Sequence, residues 1–312
     1  MLSTAFKNLD DPRSDKNQKH LLEDIITISV CAFICGADHW TQVELFGKSK
    51  EEWFSTFLEL PYGIPAHDTF SRFYAALDPK KFSKSFLLWM KGIELKTEGD
   101  VVAIDGKTLR RSYDKKSDKS AIHMVSAWSV QNKLVLGQVK TCEKSNEITA
   151  IPELLDLLDL KGCIVTMDAM GCQKNIAKAI IEKDADYALA IKGNQGRLYK
   201  DIKMFWNIHD RSGCSEIECD YYETQEQLHG RVEVRRYWHT DAINWMEQKA
   251  DWSGIQSIGM VESERTVGGL TSLEHRYYIT SMKPDAKRFG HAVRSQWAVE
   301  NNLHWTLDIA FR

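Results

Sequence analysis

Apolar positions along the first ~95 residues recur every three to four places, as on the inner stripe of a helix, and from Asp100 they switch to the alternation of strands. The run LLEDIITISVCAFICGA (21–37) reads as a buried helix that Gly36 can stop. TQVELFGKSKEEWFSTFLEL (41–60) reads as a second, amphipathic helix. PYGIPAHDTFSRFYAALDPKKF (61–82) then offers a turn, a cap at Asp68, and a helix with Phe70, Phe73, Tyr74 and Leu77 on its inner side. Short helices joined by tight turns fit plain helical packing or a helix-turn-helix, and plain packing is the simpler reading. The acidic, glycine-containing stretch KTEGD (96–100) marks a boundary, giving a small helical domain over 1–98 and a second domain over 99–312.

In the second domain VVAIDGKTL, AIHMVSAWSV and KLVLGQVK predict three strands in an antiparallel meander. NEITAIPELLDLLDL follows as a helix with Ile148, Ile151, Leu155 and Leu158 inward, then the strand CIVTMDA, the helix QKNIAKAIIEKD and the strand DYALAIKG. Three antiparallel strands followed by alternating helix and strand is the order of a ribonuclease H-like core, an α/β fold with a mixed sheet flanked by helices. In that order the first and fourth strands are parallel neighbours. The stretch from about Ile202 to Met282 breaks into short alternating pieces (RVEVRRYWHT, GIQSIGMVESER, EHRYYITSM), as an inserted β-rich subdomain would. The chain returns as the helix AKRFGHAVRSQWAVENNLHW.

Three acids stand out against this frame. Asp105 and Asp168 each close an apolar run, at the ends of the two strands expected to pair in parallel, and Glu300 lies in the returning helix. An Asp after a strand by itself serves a turn. Two strand-end aspartates with a helix-borne glutamate can instead form a carboxylate cluster that holds divalent metals for phosphoryl transfer on DNA. At helical spacing Val293, Trp297, Glu300, His304 and Leu307 share one face, so Glu300 is expected among large inward side chains, where a charge needs a cation.

Composition bounds the rest. With 312 residues, 43% hydrophobic content and 10 Trp, the chain can bury a substantial core. The longest apolar run, Ile25 to Ala37, is too short to span a bilayer and no leader opens the chain, which points to a soluble, cytoplasmic protein. Cys31, Cys35 and Cys163 fall in apolar runs, as reduced core thiols do, and His209, Cys214, Cys219 and His229 match no standard zinc spacing. The net charge of −3 argues against a nucleic-acid partner, but the charge is unevenly spread. From Lys107 to Lys119 six basic residues, among them Lys115 and Lys116, face two acids, beside Asp105, whereas Gly213 to Glu226 holds five acids and no Lys or Arg.

The runs DPRSDKNQKHLLEDII, GIPAHDTFSRF, AIDGKTLRRSYD, EKSNEITAIPELL, TMDAMGCQKNIA, AIKGNQGRL, HGRVEVR and WAVENNLHWTLD, in this order, resemble the DDE-type insertion-sequence transposases, and within them the H-repeat-associated transposases. The resemblance covers nearly the whole chain. It implies Asp105, Asp168 and Glu300 as catalytic and metal-binding triad, in a ribonuclease H-like core interrupted by a β insertion behind a helical N-terminal domain. It implies two Mg²⁺ or Mn²⁺ ions, Asp105 bridging them and Asp168 and Glu300 holding one each, with water cutting at the element's end and the freed 3′-hydroxyl attacking target DNA. The expected partners are terminal inverted repeats and target DNA, bound by a homodimer in the cytoplasm or on the nucleoid. Lys107, Arg110, Arg111, Lys192, Asn194, Gln195, Arg197 and Arg231 are candidate DNA contacts. Two departures stand out. Gln296 occupies the position four before the Glu where the wider class often has Arg and closer relatives His, and the chain stops at LDIAFR where relatives continue with an acidic pair and a helical tail. Beside the active transposase stand two other readings: a nuclease-like relative without strand transfer, and a truncated, catalytically impaired remnant that only binds DNA.

Overall fold

The computed structural model describes residues 2–14, 18–93, 99–109, 112, 121–141, 147–211, 214, 216–228 and 230–309. The chain divides into two compact units, Met1–Leu95 with Thr306–Arg312, and Lys96–Trp305.

The first unit carries α1 (Leu2–Phe6), α2 (Leu22–Ile34), α3 (Trp40–Ser49), α4 (Glu51–Phe54), α5 (His67–Ala76) and α6 (Pro79–Ile93). Ile25, Ile26, Ile28 and Ala32 of α2 pack with Val43, Phe54, Phe70 and Phe73 into a core of its own. Gly36, at φ 96°, follows the end of α2 as its sequence predicts. Two local expectations change. The single helix foreseen over 41–60 breaks at Lys50, whose backbone (φ −120°, ψ 15°) leaves the helical region between α3 and α4. Asp68 lies in the first turn of α5 and is not its cap. Ala66 holds that position, and Glu44 of α3 accepts the His67 N–H at 2.7 Å, satisfying from a neighbouring helix a donor that a cap would serve.

In the second unit the strands are β1 (Val101–Thr108), β2 (His123–Ser129), β3 (Leu134–Lys140), β4 (Ile164–Met167), β5 (Asp186–Ile191), β6 (Asp220–Leu228), β7 (Arg231–Thr240), β8 (Ser257–Val267) and β9 (Leu270–Thr280). The helices are α7 (Glu147–Leu157), α8 (Lys174–Ile181), α9 (Gly196–Arg211), α10 (Ala286–Ala298) and α11 (Trp305–Ile309), which runs on past the unit boundary. Among the described residues nine strands form one mixed sheet, ordered β3-β2-β1-β4-β5-β9-β8-β7-β6. β1, β2 and β3 are the expected antiparallel meander, and β1, β4 and β5 pair in parallel. One face is covered by α7, α8 and α9 through Val102, Ile104, Val165, Leu154, Ile176 and Trp206. α10 covers the other through Val101, Ile164, Ala188, Phe289 and Val293. Strand alternation therefore carries Val101, Ala103 and Asp105, and likewise Ile164, Thr166 and Asp168, to the α10 side.

The stretch read as an inserted subdomain from 202 to 282 differs in two respects. Its first residues complete α9, and its strands continue the same sheet, with β9 antiparallel to β5. The open edge of β5 presents backbone donors and acceptors, and a strand laid on that edge satisfies them where a detached subdomain would not.

Candidate active site

Asp105 directly follows the last β1–β4 pair, Ile104↔Met167, and Asp168 follows its partner strand. Parallel pairing alone thus brings both carboxylates to one end of the sheet. Glu300 arrives after α10, where Val299–His304 winds as a π-helical turn, a local widening that is frequent at functional sites. The three acids line one cavity of about 330 Å³ together with Thr166, Lys192, Arg276, Gln296 and Trp297.

Glu300 is exposed, which corrects the expectation of a carboxylate packed inward. The wide turn gives the buried side to Val299, Leu303 and His304, and Trp297 is also exposed, its ring under the Arg276 guanidinium at 5.1 Å. Asp105 is the more enclosed acid. Burial pushes its carboxyl up to about 7, the negative charges of Asp168, Glu147 and Glu300 push the same way, and an N–H from Gly106 opposes them. His304 Nδ1 lies 3.6 Å from Asp105 Oδ2. Asp168 Oδ1 accepts the N–H groups of Met170 at 2.9 Å and Gly171 at 3.3 Å, so this residue also does the turn work ordinary for its position.

Glu147 and His123 escaped the sequence reading of the site. Glu147, first residue of α7, packs against Gly106, where a Cβ would meet the Glu147 carboxylate and the His123 ring. His123 Nε2 is 2.8 Å from Glu147 Oε1. The available signal was the acid opening the run NEITAIPELL, which served only to predict a helix. Gln296 bridges β1 and β4: its Nε2 donates to the Ile104 carbonyl at 3.0 Å and its Oε1 accepts from Thr166 Oγ1 at 2.8 Å.

The candidate DNA contacts scatter. Lys192 lines the acid cavity, and Lys107 lies two residues beyond Asp105 on the same side of β1. Asn194 donates to Ala169 O at 2.7 Å and Gln195 to Cys172 O, so both amides tie down the loop after Asp168. Arg197 pairs with Glu247 at 2.6 Å and Asp201 at 3.6 Å. Arg231, ion-paired to Glu233, lines an adjoining groove with Arg235, Arg265, Arg276 and Arg294, which shares Arg276 and Trp297 with the acid cavity. Arg110 and Arg111 lie outside the described residues, as do Lys115, Lys116, Lys119 and His229. Among the described residues, no three His, Cys, Asp or Glu side chains stand close enough as placed to hold an ion, and no helix is long and apolar enough to cross a membrane.

Comparison with known proteins identifies the fold's family. The profile described as "Transposase DDE domain" matches residues 96–312, and one described as "DDE_Tnp_1-associated" matches residues 3–90. This chain belongs to the DDE transposase family. The transposase is 45% identical over 305 residues to "Putative transposase YncI" of Escherichia coli O157:H7, spanning 96% of this chain and 77% of that one. It is 41% identical over 306 residues to "H repeat-associated putative transposase YhhI" of Escherichia coli (strain K12), spanning 96% and 80%. The resemblance carried by its sequence runs is thereby confirmed. A solved piggyBac transposase synaptic complex with hairpin DNA aligns over 97% of this chain and 63% of its own at a TM-score of 0.42 and 12% identity, a likeness too distant to inform the fold.

Proposed function

We propose that this transposase cuts and joins DNA by metal-dependent phosphoryl transfer at the cavity lined by Asp105, Asp168 and Glu300, in a ribonuclease H-like core built on β1 to β5. The observation that carries the reading is the parallel β1–β4 register, from which Asp105 and Asp168 both emerge one residue past the last pair, with Glu300 lining the same cavity. Two parallel strands continuing a three-stranded meander support the core assignment.

The donor set fits hard cations. Carboxylate oxygens suit Mg²⁺ or Mn²⁺, and the burial and repulsion that hold Asp105 near neutrality are what positive charge relieves. Asp105, Asp168 and Glu300 would hold such ions. Bound ions supply charge neutralisation on the phosphodiester and a more acidic water or hydroxyl. The chain's own groups do the positioning. Lys192 beside the acids engages phosphate oxygens as a compact cation. His304 holds Asp105 from the buried side. The substrates are the element's terminal inverted repeats and target DNA, engaged by a homodimer, with water cutting first and the freed 3′-hydroxyl attacking the target.

The test is strand cleavage of labelled end DNA in Mg²⁺, Mn²⁺, Ca²⁺ and EDTA. Cleavage is expected with the first two alone, and robust cleavage in EDTA overturns the proposal. Asp105→Asn, Asp168→Asn and Glu300→Gln each remove a charge at nearly constant volume, so each should abolish cleavage and leave DNA binding intact. Combined variants should lose little more than single ones, since the acids act as a unit. A single variant with near-normal turnover removes that residue from the site.

A further inference from the structure

We propose that Gln296 is a positioning residue whose amide, spanning the Ile104 carbonyl and the Thr166 hydroxyl where β1 and β4 part, sets the separation of Asp105 and Asp168 and ties the helix leading to Glu300 to both. The role rests on the metal-dependent reading above. Ladder pairing between the two strands ends at Ile104↔Met167, so the two aspartates are the first positions past it and are not paired with each other. Two like charges at that point push the strand ends apart. Gln296 closes the gap from above. It contacts the residue just before Asp105 and the residue two before Asp168, and it lies on α10 one turn before Glu300.

The chemistry of the bridge is specific. One partner is an acceptor and the other a hydroxyl used as a donor, and a neutral amide offers both a donor and an acceptor in one plane, as a neutral imidazole also does. Thr166 is 1% exposed and points its hydroxyl to Gln296, so loss of the amide leaves a buried polar group without its partner. Being neutral, the bridge draws the strands together and leaves the negative potential of the cavity to the incoming cations.

The experiment uses the full chain and two readouts, Mn²⁺ binding followed by the electron paramagnetic resonance of free Mn²⁺, and steady-state cleavage of end DNA. Gln296→Leu should weaken Mn²⁺ binding and lower kcat by about 10- to 100-fold, the range for residues that orient metal ligands, with KM for DNA near wild type and the thermal midpoint lowered by the unpartnered Thr166 hydroxyl. Thr166→Val should move both readouts in the same direction, and Thr166→Ser, which keeps the hydroxyl, should preserve them. The double variant Gln296→Leu with Thr166→Val should be no worse than Gln296→Leu alone, since the two act through one bond. Wild-type Mn²⁺ affinity and kcat in Gln296→Leu, or fully additive losses in the double variant, overturn the role of Gln296 and leave the catalytic reading standing. A wild-type chain that neither binds Mn²⁺ nor cuts DNA overturns both.

Discussion

Asp105 titrates near neutrality because burial and three neighbouring carboxylates disfavour its charge, and this couples folding to pH and to cations. Its carboxyl rises from an ordinary 3.8 to about 7 on folding, so between those values the folded chain holds a proton that the unfolded chain has released. The stabilising contribution is complete below pH ~4 and is lost as pH rises to about 7. Asp105→Asn should therefore raise the thermal midpoint in EDTA, more at pH 8 than at pH 5, and Mn²⁺ should narrow the difference at pH 8. A gap independent of pH would mean that the carboxyl titrates normally. At this scale the acids were legible as residue types at strand ends. The exposure of Glu300 was not, because helical periodicity assumes an α-helix and the π-helical turn at Val299–His304 shifts which positions face inward.

At the scale of elements, the site depends on how closely α10 lies on the sheet. Gly259 of β8 has no side chain because the Phe289 ring of α10 fills the space where a Cβ would stand. Gly259→Ala should lower stability by roughly 1–3 kcal/mol, the usual range for overpacking, and reduce cleavage by lifting the helix that leads to Glu300. Phe289→Leu in the same chain should recover part of both, and denaturant midpoints with cleavage rates are the measurement. The start of α10 is fastened by His239, whose Nδ1 accepts the Asp285 N–H at 3.0 Å and whose Nε2 lies 2.7 Å from Ser257 Oγ. Burial pushes this imidazole down to about 4, so it is neutral in the fold. The unfolded chain takes up its proton near pH 6.5, hence the stability from His239 is present above that value and is lost as pH falls toward 4. His239→Gln should flatten the acid limb of stability between pH 6.5 and 4 in urea denaturation, and an unchanged limb would assign acid sensitivity elsewhere.

Across the whole molecule, a net charge of −3 has to coexist with binding to DNA, and the uneven distribution of charge allows it. If the basic run after Asp105 contacts phosphates, neutralising Lys115, Lys116 and Lys119 should weaken binding to all duplex sequences alike and flatten the log-log salt dependence by about 0.9 per lost contact. Weaker binding at an unchanged slope would point to misfolding. The sequence by itself determined the helical first unit, the order β1-β2-β3-α7-β4-α8-β5, and the strand-end positions of Asp105 and Asp168, because apolar period, turn residues and the alternation of side chains are local properties. It also determined the family, through short runs kept in order along the chain. Tertiary structure alone decided that β6 to β9 extend the same sheet, since alternation marks a strand without naming its neighbour. It alone decided what Gln296 does. Its two partners lie 192 and 130 residues away along the chain, and a hydrogen bond between positions so far apart leaves no period in the sequence from which it can be read.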